Sequence, residues 1–183
     1  MPVSIAANLT HFCEKYLEDG FTKYIINERV AETFNLVSEE KYSSVTVLGH
    51  SFGAIIGTKL LAELPEKQNV NFITLGSTLK FFSFKSHPIN SELSKLVEGC
   101  KGKVEKWIEY YAEEDPVCIK WLPVGKYDNL EIKTIDNLEI KTIPLYNARG
   151  KKIKKMSFAS ITGQSHLFYF YNQELLQKIL FLK

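Results

Sequence analysis

Gly49-His50-Ser51-Phe52-Gly53 is the stretch that decides the fold. The residues before it, 43–48, are β-branched and apolar, which predicts a short buried strand. The residues after it, 54–64, have the apolar spacing of a helix. A Gly-x-Ser-x-Gly sequence between a strand and a helix predicts a tight turn, in which close backbones leave no room for a Cβ at either glycine. The turn would expose the Ser51 hydroxyl above the sheet and direct the Phe52 N–H toward an oxyanion.

The alternative for this turn is a glycine-lined connection whose serine merely caps the helix.

The rest of the chain favours a fold in which strands alternate with helices. Further strands are predicted at 70–77, 103–112 and 154–161, and further helices at 5–17, 24–37, 89–99 and 173–181. This alternation predicts an α/β fold with a mainly parallel sheet and helices on both faces. At 183 residues we expect one domain, 1–183, with a helical lead-in over 1–42.

The composition excludes several classes of function. With 45% hydrophobic and 24% charged residues, the chain is typical of a globular protein, and a net charge of +2 is too small to favour nucleic-acid binding. No apolar run reaches the ~18 residues that span a bilayer, and we expect no signal peptide. The three cysteines are far apart and form no C-x-x-C pair, which favours a reducing, cytoplasmic location. No histidine pair has metal-ligand spacing, so we expect no metal and no cofactor.

Asp115 is the candidate for an acid that orients a catalytic base. It follows the predicted strand at 103–112, and Pro116 favours a turn at this point. Glu113 and Glu114 are rivals for the role, and all three carboxylates could instead form a solvated acidic loop.

His166 is the candidate for the base. It lies in a predicted loop between the last strand and the last helix, and it follows Asp115 in the chain. His11 and His87 precede the acid, and the His50 side chain is expected to point away from the nucleophile. In the predicted mechanism, His166 takes the proton of Ser51 while Asp115 holds and stabilises the imidazolium.

The chain resembles lipase-like α/β-hydrolases over about residues 45–182. The resemblance rests on the turn at 49–53, the strand end Thr74-Leu75-Gly76-Ser77, the run Trp107-Ile108-Glu109-Tyr110-Tyr111 before Asp115-Pro116-Val117, and His166-x-x-Tyr169. The aromatic run is similar to that of lipase class 3-like members. The family's chain order is Ser, then Asp, then His. The resemblance implies a three-layer fold and a serine esterase that cleaves a lipid or small-molecule ester through an acyl-enzyme. Thioesterases, acyltransferases and non-catalytic relatives share these features.

The region before the turn departs from that family. Such hydrolases place several strands, and the loop that gives a second oxyanion N–H, before the nucleophile, whereas 1–42 predicts two helices. The chain is then the C-terminal part of a split hydrolase, a minimal variant that takes its donor from elsewhere, or an incomplete relative that acts as a binding or interaction module. A sheet shortened on this side would expose an apolar strand edge, so we expect a homodimer or pairing with a separate N-terminal chain.

Two further segments bear on the site. An eight-residue sequence, 128–135, recurs at 136–143 inside a segment, 126–150, between the candidate acid and base. Its Asp-Asn turn and alternating pattern predict a hairpin that could cover the site as a flap. Phe81 and Phe82 follow the second predicted strand and, with His50, are candidate contacts for an apolar acyl group. The two phenylalanines could equally belong to the core.

Overall fold

The computed structural model describes residues 11, 15–16, 18–39, 42–64, 69–79, 87–112, 115, 138–146, 149–153 and 165–181. The elements in chain order are α1 (Gly20–Glu39), β1 (Val45–His50), α2 (Gly53–Glu63), β2 (Val70–Leu75), α3 (His87–Gly99), β3 (Lys106–Tyr111), β4 (Leu138–Thr142), a 3₁₀ helix (Ser165–Tyr171) and α4 (Gln173–Leu180). No described helix is both long enough and apolar enough to cross a membrane.

The four strands form one sheet in the order β1-β2-β3-β4, and every neighbouring pair is parallel. The register places Phe72 of β2 beside Val47 of β1 and Trp107 of β3. The predicted α/β fold with a parallel sheet is therefore confirmed. Parallel strands need crossover connections, and α2 and α3 lie in the crossovers that join β1 to β2 and β2 to β3.

Side chains that alternate along β2 and β3 build a core on each face of the sheet. Phe72 and Trp107 pack in the cluster that also contains Ile55 of α2. The next residues along these strands, Ile73 and Ile108, pack on the other face in a second cluster. This cluster includes Tyr169 and Leu175 from the last part of the chain. This arrangement explains why β2 is buried along its whole length.

Helix α2 lies unusually close to the sheet at Gly57. A Cβ at this position would lie 2.8 Å from Cε2 of Phe72. The close approach fixes the helix that carries the turn residues directly above β1 and β2.

The fourth strand differs from the prediction. The segment expected to form it, 154–161, lies outside the described residues. The observed β4 is instead the second copy of the repeat, and it pairs in parallel with β3. That copy belongs to the central sheet, so it does not form a flap; the first copy, 128–135, lies outside the described residues.

Strand β1 is the opposite edge of the sheet. Among the described residues it pairs only with β2. Thr46 is exposed on this strand, and 42% of the Leu48 surface is accessible. Within the part of the chain that the structure describes, the strand that leads into Gly49-His50-Ser51 therefore has an unpaired edge and a partly exposed apolar side chain, Leu48.

Candidate active site

Ser51 occupies the predicted turn between β1 and α2 in a strained conformation. Its φ is +56°, and it is the one non-glycine residue with positive φ among the described residues. Such a conformation costs a residue with a Cβ of order 1–3 kcal/mol, so its surroundings must hold it. The Ser51 N–H donates to the carbonyl of Leu75 (3.0 Å), and the Thr78 hydroxyl donates to the Ser51 carbonyl (3.2 Å).

The two glycines of the turn have different roles. A Cβ at Gly49 would lie 2.9 Å from both Cα of Ala54 and the carbonyl oxygen of Gly53, which are backbone atoms that cannot move aside. A Cβ at Gly53 would meet no atom within 4 Å. The expectation that close packing requires glycine at both positions is therefore right for Gly49 and wrong for Gly53.

The N-terminus of α2 leaves backbone donors available beside Ser51. Phe52, the residue before the first helical position, caps the helix with no side-chain hydrogen bond. Its N–H forms no hydrogen bond with a described residue, while its ring packs edge-on against Tyr16. The Phe52 ring therefore anchors the turn, and the Phe52 N–H remains available to donate a hydrogen bond to an oxyanion.

Asp115 and His166 come together across 51 residues of chain. Nδ1 of His166 is 2.8 Å from Oδ2 of Asp115, and the carboxylate is 2% exposed. A carboxylate accepts hydrogen bonds and cannot donate them, so Nδ1 carries the proton in this contact and Nε2 is the nitrogen left to act as a base. The rivals Glu113 and Glu114 lie outside the described residues.

Tyr169 is a member of this cluster that the sequence analysis did not assign. Its hydroxyl donates to the same Oδ2 of Asp115 (2.9 Å) and accepts the N–H of Ala112 (3.1 Å). His166 and Tyr169 lie three residues apart on the 3₁₀ helix, whose three residues per turn put both side chains on one side. The His-x-x-Tyr spacing was the available signal, but it indicates a shared face only if the segment is helical, and a loop was predicted there.

Gly76 lets Ser51 and the Asp115–His166 pair lie together at the carboxyl end of β2. It follows Leu75, which accepts the Ser51 N–H, and its φ is +54°. A Cβ at Gly76 would lie 2.8 Å from Oδ2 of Asp115 and 3.1 Å from Cε1 of His166. The absence of a side chain at this position is what lets the pair lie against the end of β2.

Nε2 of His166 is buried and has no hydrogen-bond partner among the described residues. The hydrogen bond from Ser51 to His166 that the sequence predicts is therefore not formed in this structure. A buried nitrogen without a partner costs about 1–3 kcal/mol, so the site gains free energy from any donor that reaches Nε2.

The His50 ring contacts the ring of the candidate base, His166. From the sequence, the His50 side chain was expected to point away from the nucleophile, and this contact was not predicted. The centroid of the His50 ring lies 4.6 Å from that of the His166 ring, and Nε2 of His50 lies 2.7 Å from the His166 carbonyl oxygen. Burial lowers the pKa of His50, and the neighbouring His166 lowers it further. His50 is therefore neutral at pH 7 and donates from Nε2 to the carbonyl.

Other predicted site residues are not placed. Phe81 and Phe82 lie outside the described residues, so the structure does not relate them to Ser51. Among the described residues, no group of three or more His, Cys, Asp or Glu side chains is arranged to hold a metal ion.

Comparisons of the chain with protein-family models, with curated proteins and with solved structures return no match.

Proposed function

We propose that this protein is a serine hydrolase that cleaves a carboxylic ester, with Ser51 as nucleophile, His166 as base and Asp115 as the acid that orients it. One observation carries the proposal: the Asp115–His166 pair, in which Nε2 of His166 has no hydrogen-bond partner among the described residues, lies at the carboxyl end of β2, where Ser51 is held at positive φ. A serine at positive φ between a strand and a helix is the geometry of a nucleophile elbow. Ser51 is 9% exposed in this structure, so the expected exposure of its hydroxyl is not observed. The fold we propose around it is a three-layer α/β-hydrolase-like domain.

In the proposed reaction, Ser51 Oγ attacks the ester carbonyl carbon while Nε2 of His166 takes its proton. Asp115, bonded to Nδ1–H, stabilises the imidazolium, and the Phe52 N–H donates to the oxyanion. The imidazolium proton then passes to the leaving alkoxide, which departs as the alcohol and leaves an acyl-enzyme. Water attacks the acyl carbon as Nε2 takes a proton from it, and the return of that proton to Ser51 releases the carboxylic acid. The mechanism requires Ser51 Oγ to approach Nε2 to about 3 Å when substrate binds.

The proposed substrate has an apolar acyl group, and the reaction needs no cofactor. Leu167 and Phe170 on the 3₁₀ helix beside His166 are exposed, and the Phe170 ring lies 5.1 Å from that of His50. An apolar rim of this kind favours a hydrocarbon chain over a charged one. The chain's three separated cysteines support a cytoplasmic site of action.

A second candidate function is an interaction module, or one part of a split hydrolase. The edge of β1, which no described residue pairs with and where Leu48 is exposed, favours it, because an edge strand can pair with a second copy or with a separate chain. Light scattering at micromolar concentration tests pairing with a second copy, and a monomer would contradict that pairing.

Labelling with a fluorophosphonate probe, which forms a covalent bond to an activated serine, tests the hydrolase. We expect the wild type to be labelled and Ser51→Ala and His166→Ala to be unlabelled. The matched controls are Ser44→Ala and His11→Ala, which change an exposed serine and an exposed histidine. A folded wild type that is not labelled would contradict the hydrolase and leave the interaction module. A panel of esters with rising acyl length then tests the apolar substrate.

A further inference from the structure

His50 joins the nucleophile to the proposed base by two routes. It precedes Ser51 in the chain, and its ring packs on that of His166 at an interplanar angle of 34°. The His166 carbonyl can only accept a hydrogen bond, so Nε2 of His50 carries the proton in the 2.7 Å contact between them. His50 therefore holds both the backbone and the ring of His166.

Two more rings of the 3₁₀ helix surround His50. The Tyr169 centroid is 5.8 Å away, and the Phe170 ring meets it nearly edge-on at 69°. Tyr169 also donates to the carboxylate that orients His166. Rotation of the His50 ring would therefore disturb contacts with three residues of this helix.

We propose that His50 is a positioning residue that fixes the His166 imidazole so that Nε2 faces Ser51. This inference rests on the proposed function, since it assigns His50 a role in that reaction. His50 acts through His166, and the role needs no contact between His50 and substrate. The His50 side chain and the Ser51 nucleophile belong to consecutive residues, so the same turn that strains Ser51 also sets the position of its base.

Substitutions at His50 separate the two contacts. His50→Phe keeps a ring against His166 and removes the donor; His50→Gln keeps an N–H near the position of Nε2 and removes the ring; His50→Ala removes both. A hydrogen bond contributes about 1 kcal/mol, which corresponds to a rate change of about fivefold. We expect His50→Ala to lower the labelling rate constant about tenfold or more, with Phe and Gln each recovering part of the loss. Tyr171→Phe is the control, because Tyr171 lies on the same helix with 47% of its surface exposed and is not part of the proposed substrate rim.

Two readouts distinguish positioning from general destabilisation. In ester hydrolysis we expect kcat to fall with KM unchanged, because a misplaced base weakens the transition state without weakening binding. In proton NMR we expect the downfield resonance of the His166 Nδ1–H, which is bonded to Asp115, to broaden in His50→Ala and to stay sharp in Tyr171→Phe.

The outcomes separate this inference from the proposed function. A wild-type labelling rate in His50→Ala, with an unchanged Nδ1–H resonance, overturns the positioning role even if Ser51 is confirmed as the nucleophile. A wild type that is never labelled contradicts the hydrolase, and the Nδ1–H resonance of the variants then decides alone whether His50 fixes His166.

Discussion

Replacing Tyr169 by Phe removes one oxygen from a fully buried site. The ring and its packing remain, but Asp115 loses a donor and the Ala112 N–H loses its acceptor. A hydrogen bond to a charged group contributes about 1.5–3 kcal/mol, and an unpaired buried N–H costs about 1–3 kcal/mol. The two effects act on one hydroxyl and are partly relieved by local adjustment, so we expect Tyr169→Phe to lower the free energy of unfolding by about 3 kcal/mol.

Urea unfolding and thermal denaturation measure this loss. For a chain of this length, 1 kcal/mol shifts the Tm by about 2–4 °C, so the expected fall is about 6–12 °C. Tyr171→Phe is the matched control: it makes the same chemical change on the same 3₁₀ helix, at a side chain that is 47% exposed. We expect that variant to stay within about 0.5 kcal/mol of the wild type.

The comparison of the two tyrosines can refute the reasoning. If Tyr169→Phe costs no more than Tyr171→Phe, then the Tyr169 hydroxyl does not hold Asp115, and the Asp115–His166 pair is not fixed in the way described. A loss of stability with an unchanged labelling rate would separate folding from function: Tyr169 would then support the core without orienting the acid.

Three further predictions concern the turn, one histidine and one cysteine. Gly49→Ala should lower the free energy of unfolding in urea by about 1–3 kcal/mol because its Cβ meets backbone; Gly53→Ala, which meets open space, should raise it by about 0.5–1 kcal/mol, and equal effects would contradict the packing. The lowered pKa of His50 means that the unfolded chain binds its proton first as pH falls below the ordinary value of 6.5, so stability is lost from there down to the folded-state pKa. Urea unfolding between pH 7 and pH 5 should therefore show a weaker pH dependence in His50→Gln than in the wild type. Burial raises the pKa of the Cys100 thiol to about 12, so peptide mapping should find it alkylated by iodoacetamide only after denaturation.

Local sequence determined the parts of this fold that depend on near neighbours. The change from strand to helix pattern at 49–53 fixed the position of Ser51, because β-branched residues precede the turn and helical spacing follows it. Asp115 and His166 could be chosen because few acids and histidines stand at suitable places in the chain, and the structure brings these two together.

Contacts between distant segments were not available from the same patterns. The partner of β3 is 138–142, in the second repeat copy. The alternating pattern of this segment fits the edge of any sheet, so only tertiary packing determines which strand it pairs with. Tyr169 was not assigned because a loop was predicted where the chain winds into a 3₁₀ helix. Gly53 matches the motif as well as Gly49 does, but the steric need at each position depends on where α2 lies over β1.

The winding of the 3₁₀ helix sorts its side chains into three columns. His166 and Tyr169 form the column that meets Asp115, Leu167 and Phe170 form an exposed column, and the Phe168 and Tyr171 rings lie 5.6 Å apart in the third. An inserted or deleted residue would turn the columns by about 120° and exchange a buried pair for an exposed one. Substitution has the opposite property: Leu167 can be replaced without moving His166, so the proposed substrate rim and the proposed chemistry can vary separately on a helix of little more than two turns.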